Sequence, residues 1–177
     1  MPDLVPYRPD QILQVLERHE VDYVVIGGLA AELRGSPYTT RDVDVTPSRN
    51  RANLKRLADA LRELDAKLRI PNVEAPVEFP LDQHSFDWET TWTFVTIHGY
   101  LDIALLPDGT RGYDDLRRSA TRERITETLE VSVAALADVI RSKEAAGREK
   151  DRAVLPILRQ VLERSRDHER NGPDIGL

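Results

Sequence analysis

The sequence predicts an α/β fold in a single domain, residues 1–177, and three observations carry that reading. The β-branched run Val24-Val25-Ile26 stops at Gly27-Gly28 and gives way at once to a helical stretch. Two β-rich runs on either side of Ile97-His98-Gly99 read as a hairpin. From about residue 134 to 170 the pattern turns helical, so a helical part closes the chain. A chain of 177 residues is long enough to bury a proper core.

Taken in order, the first helix begins near Pro9, a residue suited to a helix's first turn, and carries Ile12, Leu13 and Leu16 at helical spacing. It is read as packing and has no chemistry of its own. Residues 22–26 form the first strand and 29–34 the second helix, with Gly35 suited to the position just past its end. A loop over 36–41 leads to a strand carrying Asp42 and Asp44. Beyond Pro47 an amphipathic helix has Asn50 as its cap and Leu54, Leu57, Ala58, Leu61 and Leu64 on one stripe. Its other face, with Arg51, Lys55, Arg56, Arg62 and Lys67, is read as solvated.

Residues 70–87 contain Pro71, Pro76 and Pro80 and no period, which predicts a long loop. The hairpin follows, with strands over 90–96 and 100–105 and His98 in its turn. Residues 113–119 read as a short helix, and 125–133, with alternating Leu129, Val131 and Val133, as a strand or an extended pair. In the helical tail Gly147 marks a break, and Pro156 kinks a second helix or sits near its first turns. Residues 171–177 read as a frayed end.

The candidate chemistry starts with Asp42 and Asp44. On a strand, residues two apart share a face, so both carboxylates project one way while Val43 and Val45 enter the core. Like charges held that close need a cation, a basic side chain or a shared proton to compensate. A hard divalent ion meets that need, and Mg²⁺ suits it best because it takes one or two carboxylates and leaves other positions for water and phosphates. The turn at Gly27-Gly28 lets backbone N–H groups approach an anion. Asp102 is the single charge within its apolar strand, which costs free energy unless it is paired or binds metal. It is the best third carboxylate, ahead of Asp82, Asp87 and Asp108. Tyr38 and Arg41, in the loop before Asp42, stand where they could meet a base or a phosphate.

Composition excludes several classes. Cysteine is absent, so neither a disulfide framework nor a cysteine zinc site applies, and four histidines without paired spacing argue against a histidine metal site. A net charge of −6 argues against a generally basic coat for nucleic acid, though not against a local basic groove. No apolar run approaches the ~20 residues of a membrane span, and the first residues lack a signal-peptide pattern. The expectation is a cytoplasmic protein with no membrane partner.

The stretch YVVIGGLAAELRGSPYTTRDVDV, with D-V-D beginning fourteen residues after Gly28, resembles the DNA polymerase β-like nucleotidyltransferase superfamily. More narrowly it is similar to the AbiEii/MenT-type branch and the minimal bacterial nucleotidyltransferases. The resemblance implies a nucleotidyltransferase fold, with a mixed central β-sheet flanked by helices and C-terminal helices. It also implies an NTP whose triphosphate rests on Gly27 and Gly28, two Mg²⁺ ions, and Asp42, Asp44 and Asp102 as their ligands. Many members carry Ser where Gly28 stands, and its hydroxyl contacts a phosphate; Gly28 offers only its N–H. The tail SKEAAGREKDR is similar to the C-terminal motif of AbiEii/MenT-type proteins, by which Lys143 reaches the nucleotide phosphates and Asp151 is a functional or site-organising carboxylate.

The activity implied is Mg-dependent transfer of NMP from an NTP to an acceptor hydroxyl. In toxin members of toxin-antitoxin systems that acceptor is a tRNA 3′ end, and a cognate antitoxin is then a partner; small molecules and protein side chains are other acceptors. Two rivals remain. One is an inactive nucleotidyltransferase-fold module such as an antitoxin. The other is an unrelated metal- or phosphate-binding α/β protein, in which Asp102 would lie far from the D-V-D strand.

Overall fold

In a computed structural model, residues 4–172 are described. The chain begins with α1 (Pro9–Arg18), whose first residue is the expected proline and whose Ile12, Leu13, Val15 and Leu16 are buried. β1 (Tyr23–Ile26) runs directly into α2 (Gly27–Leu33), and β2 (Asp42–Pro47) carries the two aspartates. Gly35, at φ +103°, ends α2: its N–H donates to the Glu32 carbonyl and the Ser36 N–H to that of Ala31. That is the paired hydrogen bonding by which a glycine just past a helix satisfies the last carbonyls.

α3 (Arg51–Glu63) starts at Asn50, whose side chain accepts from the N–H groups of Ala52 and Asn53. Its charged face is tied up locally, with Asp59 accepting from both Lys55 and Arg62. Lys67 does not belong to that face. It lies on β3 (Lys67–Leu68), a two-residue strand too short to leave a period in the sequence. The 70–87 loop is anchored through Phe86, which is 2% exposed and stacks edge-on against Trp92.

The predicted hairpin is β4 (Thr91–Thr96) and β5 (Gly99–Ala104), antiparallel, with His98 in the turn. α4 (Tyr113–Leu116) is shorter than its predicted 113–119 span. The strand expected over 125–133 resolves into β7 (Glu130–Val133), preceded by a turn and paired with β6 (Thr121–Arg124). β6 reads Thr-Arg-Glu-Arg and has no apolar alternation, because it is an edge strand. α5 (Leu136–Ala146) stops at Gly147 in the left-handed conformation, and α6 (Glu149–Arg170) follows with Pro156 inside it. Residues 173–177 of the expected frayed end lie outside the described residues.

The strands form one mixed sheet in the order β3-β4-β5-β2-β1-β7-β6. β2 runs parallel to β5 and β1 parallel to β7; the other neighbours are antiparallel. α1 and α3 pack on each other and on β2, while α2 packs on β1, β2 and α5, and α5 packs on α6. Val24, Val25, Val43, Val45, Leu101 and Ile103 are fully buried in the middle strands, so the centre of the sheet is a rigid platform. No helix among the described residues is long and apolar enough to cross a membrane.

Candidate active site

Because β2 and β5 are parallel neighbours, register decides which side chains meet. Asp44 pairs with Asp102, and Val43 and Val45 pair with Leu101 and Ile103. The valines and their partners go to the core, which leaves Asp42, Asp44 and Asp102 together, each offering a carboxylate oxygen within 4.8 Å of the others. The rival in which Asp102 lies far from the D-V-D strand is therefore excluded.

Burial, then the charges of Asp42 and Asp102, push the Asp44 carboxyl well above the usual carboxylate range. Burial also raises Asp102, against an opposing hydrogen bond from Thr93, its neighbour across β4. The Asp102 Oδ1 atom is buried without a hydrogen-bond partner. Three clustered carboxylates with an orphaned oxygen fit a hard divalent cation.

The turn abuts this cluster. Ile26 is in register with Asp44, and Gly27, at φ +65°, lies so close to the Asp44 carboxylate that a Cβ there would overlap it. Glycine is required twice over, by the backbone angle and by the approach. Gly27→Ala is expected to lower stability by about 1–2 kcal/mol from backbone strain alone, and to displace Asp44; denaturant melts and crystallography of the variant check both. Gly28 faces Thr40: a Cβ on it would lie 2.9 Å from the Thr40 Cβ and 3.0 Å from its Oγ1.

A cavity of about 440 Å³ opens over the cluster and is lined on the strand side by Gly27, Gly28, Thr40, Asp42, Asp44 and Asp102. α5, α6 and the turn between them bring Lys143, Arg148 and Lys150 to the same lining, together with Asp138. Lys143 Nζ stands 3.2 Å from Asp151 Oδ1, and Arg148 Nε 2.6 Å from Asp151 Oδ2. Asp151 is fully buried and does not line the cavity. Burial alone would raise its carboxyl, but the hydrogen bonds from Arg148 and Lys143 outweigh that and hold it below the usual range. Asp151 thus positions two cations of the cavity wall.

Arg41 and Tyr38 are exposed and outside the cavity lining. Asp82 and Asp87 serve the loop, Asp82 accepting from the His84 N–H and Asp87 pairing with Arg51, while Asp108 lines the cavity rim. Sequence reading missed Arg148, Lys150 and Thr40. The two cations sit in a run of mixed charges that gives no sign of which face the cavity; Thr40 was readable only as a small polar residue two positions before Asp42.

No protein-family model matches the chain, and no curated protein matches it by sequence. Solved structures do match. A lincosamide antibiotic adenylyltransferase, LnuA, superposes with a TM-score of 0.57 at 12% identity, over 86% of this chain and 95% of that one. The fold is that of the nucleotidyltransferases. A second nucleotidyltransferase-fold structure, from Thermotoga maritima, gives a TM-score of 0.52 at 19% identity over 93% of this chain and 99% of that one. Both agree with the nucleotidyltransferase fold implied by the resemblance of the Gly-Gly and D-V-D motif.

Proposed function

We propose that this chain is an enzyme that transfers NMP from an NTP to an acceptor hydroxyl and releases pyrophosphate. The observation that carries the reading is the in-register pairing of Asp44 with Asp102, beside Asp42 and the Gly27-Gly28 turn, in a cavity that Lys143, Arg148 and Lys150 also line. Asp42, Asp44 and Asp102 would hold Mg²⁺, two ions by the motif resemblance. Bound there, Mg²⁺ would supply charge neutralisation for the phosphates and for the developing alkoxide.

The chain's own groups do the rest. The N–H groups of the turn and the side chains of Lys143, Arg148 and Lys150 hold the triphosphate, offsetting the charge that grows on the leaving pyrophosphate. The acceptor oxygen forms its bond to the α-phosphorus as the bond to the pyrophosphate oxygen breaks, and Asp102 takes the hydroxyl proton.

For the acceptor, the resemblance of the chain's motifs to AbiEii/MenT-type proteins favours a tRNA 3′ end, which would make the chain the toxin of a toxin-antitoxin pair acting in the cytoplasm with a cognate antitoxin. The likeness to a lincosamide adenylyltransferase supports a second reading, a small hydroxylated molecule. Incubation with each labelled NTP, Mg²⁺ and total tRNA tests both, with Asp44→Ala as control. Label on RNA from wild type alone is the expected result. Label on added small alcohols or antibiotics but not on RNA would move the assignment to the second reading. Mg-dependent NTP binding without any transfer would leave an inactive binding module.

A further inference from the structure

The Thr40 hydroxyl lies between the two halves of the site. It donates a hydrogen bond to Asp42 Oδ1. On its other side Thr40 fills the space next to Gly28, where a Cβ would come within 2.9 Å of the Thr40 Cβ and 3.0 Å of Oγ1. It lines the same cavity as the turn and the carboxylates. Asp42 begins β2 and pairs with Tyr100 of β5, while the pairing with β1 reaches only to Asp44, so its backbone is fixed by the sheet from one side; Thr40 precedes the strand by two residues. Among the described residues no lysine or arginine pairs with Asp42.

We infer that Thr40 is a positioning residue that fixes Asp42 for the divalent cation, and that glycine at position 28 is what gives Thr40 room to do so. A hydroxyl has one proton to donate. Spent on Asp42 Oδ1, it orients the carboxylate and leaves Oδ2 for the cation, as hydrogen bonds to metal-ligating carboxylates generally do. The same proton is then not offered to a phosphate, so on this turn the phosphates are met by backbone N–H groups alone. Side chains at 28 and 40 compete for one volume, and this chain gives it to Thr40.

The inference rests on the acidic cluster being a cation site, and the test separates the two. Mn²⁺ alone, without nucleotide, is titrated into wild type, Thr40→Val, Thr40→Ser and Gly28→Ala, following the free ion by electron paramagnetic resonance, with circular dichroism as a check on folding. Thr40→Val keeps the shape and loses the hydroxyl; its Mn²⁺ affinity is expected to fall about tenfold, the lower range for loss of a hydrogen bond that orients a ligand. Thr40→Ser should bind as wild type does. Gly28→Ala keeps every polar group, yet its methyl pushes on Thr40, and it is expected to weaken binding as well.

Wild-type affinity in Thr40→Val, or equal losses in Thr40→Ser and Thr40→Val, would overturn the proposal while leaving the cation site intact. Unchanged binding by Gly28→Ala would overturn the part assigned to Gly28. Failure of wild type itself to take up Mn²⁺ would overturn the cation site and this inference with it.

Discussion

Asp44→Asn is expected to lose nucleotidyl transfer by about three orders of magnitude, since charge stabilisation by a metal is worth several kcal/mol and each ~1.4 kcal/mol is tenfold in rate. The same substitution should make the metal-free protein more stable at neutral pH. Asp44 is buried between Asp42 and Asp102, and its carboxyl is held well above the usual range by burial first and by those two charges next. A folded-state pKa raised above the unfolded value means that the group's stabilising contribution is complete below the unfolded value, ~4, and is lost as pH rises through the folded one. At neutral pH the wild type therefore carries the cost of crowded carboxylates, and asparagine removes it. Thermal melts in EDTA should show Asp44→Asn above wild type at neutral pH, with the gap closing as the pH is lowered toward ~4. Added Mg²⁺ should raise the wild-type midpoint and leave the variant's unchanged. A variant that melts below wild type in EDTA would show that Asp44 is held by partners rather than crowded by neighbours.

Asp151→Asn works in the opposite direction. Removing the charge leaves the part-buried Lys143 ammonium and the Arg148 guanidinium facing an amide. Breaking such a pair costs about 3 kcal/mol, at the low end of the range for buried pairs because the Arg148 head reaches solvent. For a chain of this size that lowers the melting midpoint by about 6–12 °C. The Asp151 carboxyl is lowered in the fold, its two cations outweighing its burial. Its contribution is therefore present above the unfolded value and lost as pH falls through the folded one. The difference between wild type and Asp151→Asn should be full at pH 7 and shrink below ~4. Lys143, no longer anchored, should raise the apparent KM for NTP more than it lowers kcat. If Asp151→Asn keeps wild-type stability and loses kcat alone, Asp151 acts on the substrate directly and not through Lys143 and Arg148.

Together the two substitutions describe a cavity with two unlike sides. The strand side is crowded with carboxylates, while on the helical side Lys143 and Arg148 are already paired with Asp151. A triphosphate with its metal would bridge them, offsetting charge on both sides at once.

Local features of this arrangement were legible in the chain itself. Val43 and Val45, alternating with the aspartates, fix the face on which Asp42 and Asp44 project, the apolar strand around Asp102 marks it as a charge in need of a partner, and Asn50, Gly35 and Gly147 mark helix ends. Each depends on neighbours within a few residues, where periodicity and capping chemistry act. β6 and β3 were not legible, the first because an edge strand has charged residues where alternation would show, the second because two residues define no period.

The type and order of most elements, the shared face of Asp42 and Asp44, and the apolar surroundings of Asp102 could be read from the chain alone. That the three carboxylates meet follows from the packing of distant segments. The parallel register that sets Asp44 beside Asp102, the occupation by Thr40 of the space beside Gly28, and the capture of Asp151 by Lys143 of the preceding helix all join segments through packing of the sheet and helices. Register is fixed by which valines and leucines bury together across two strands, a condition on pairs of distant segments that no single stretch of sequence displays.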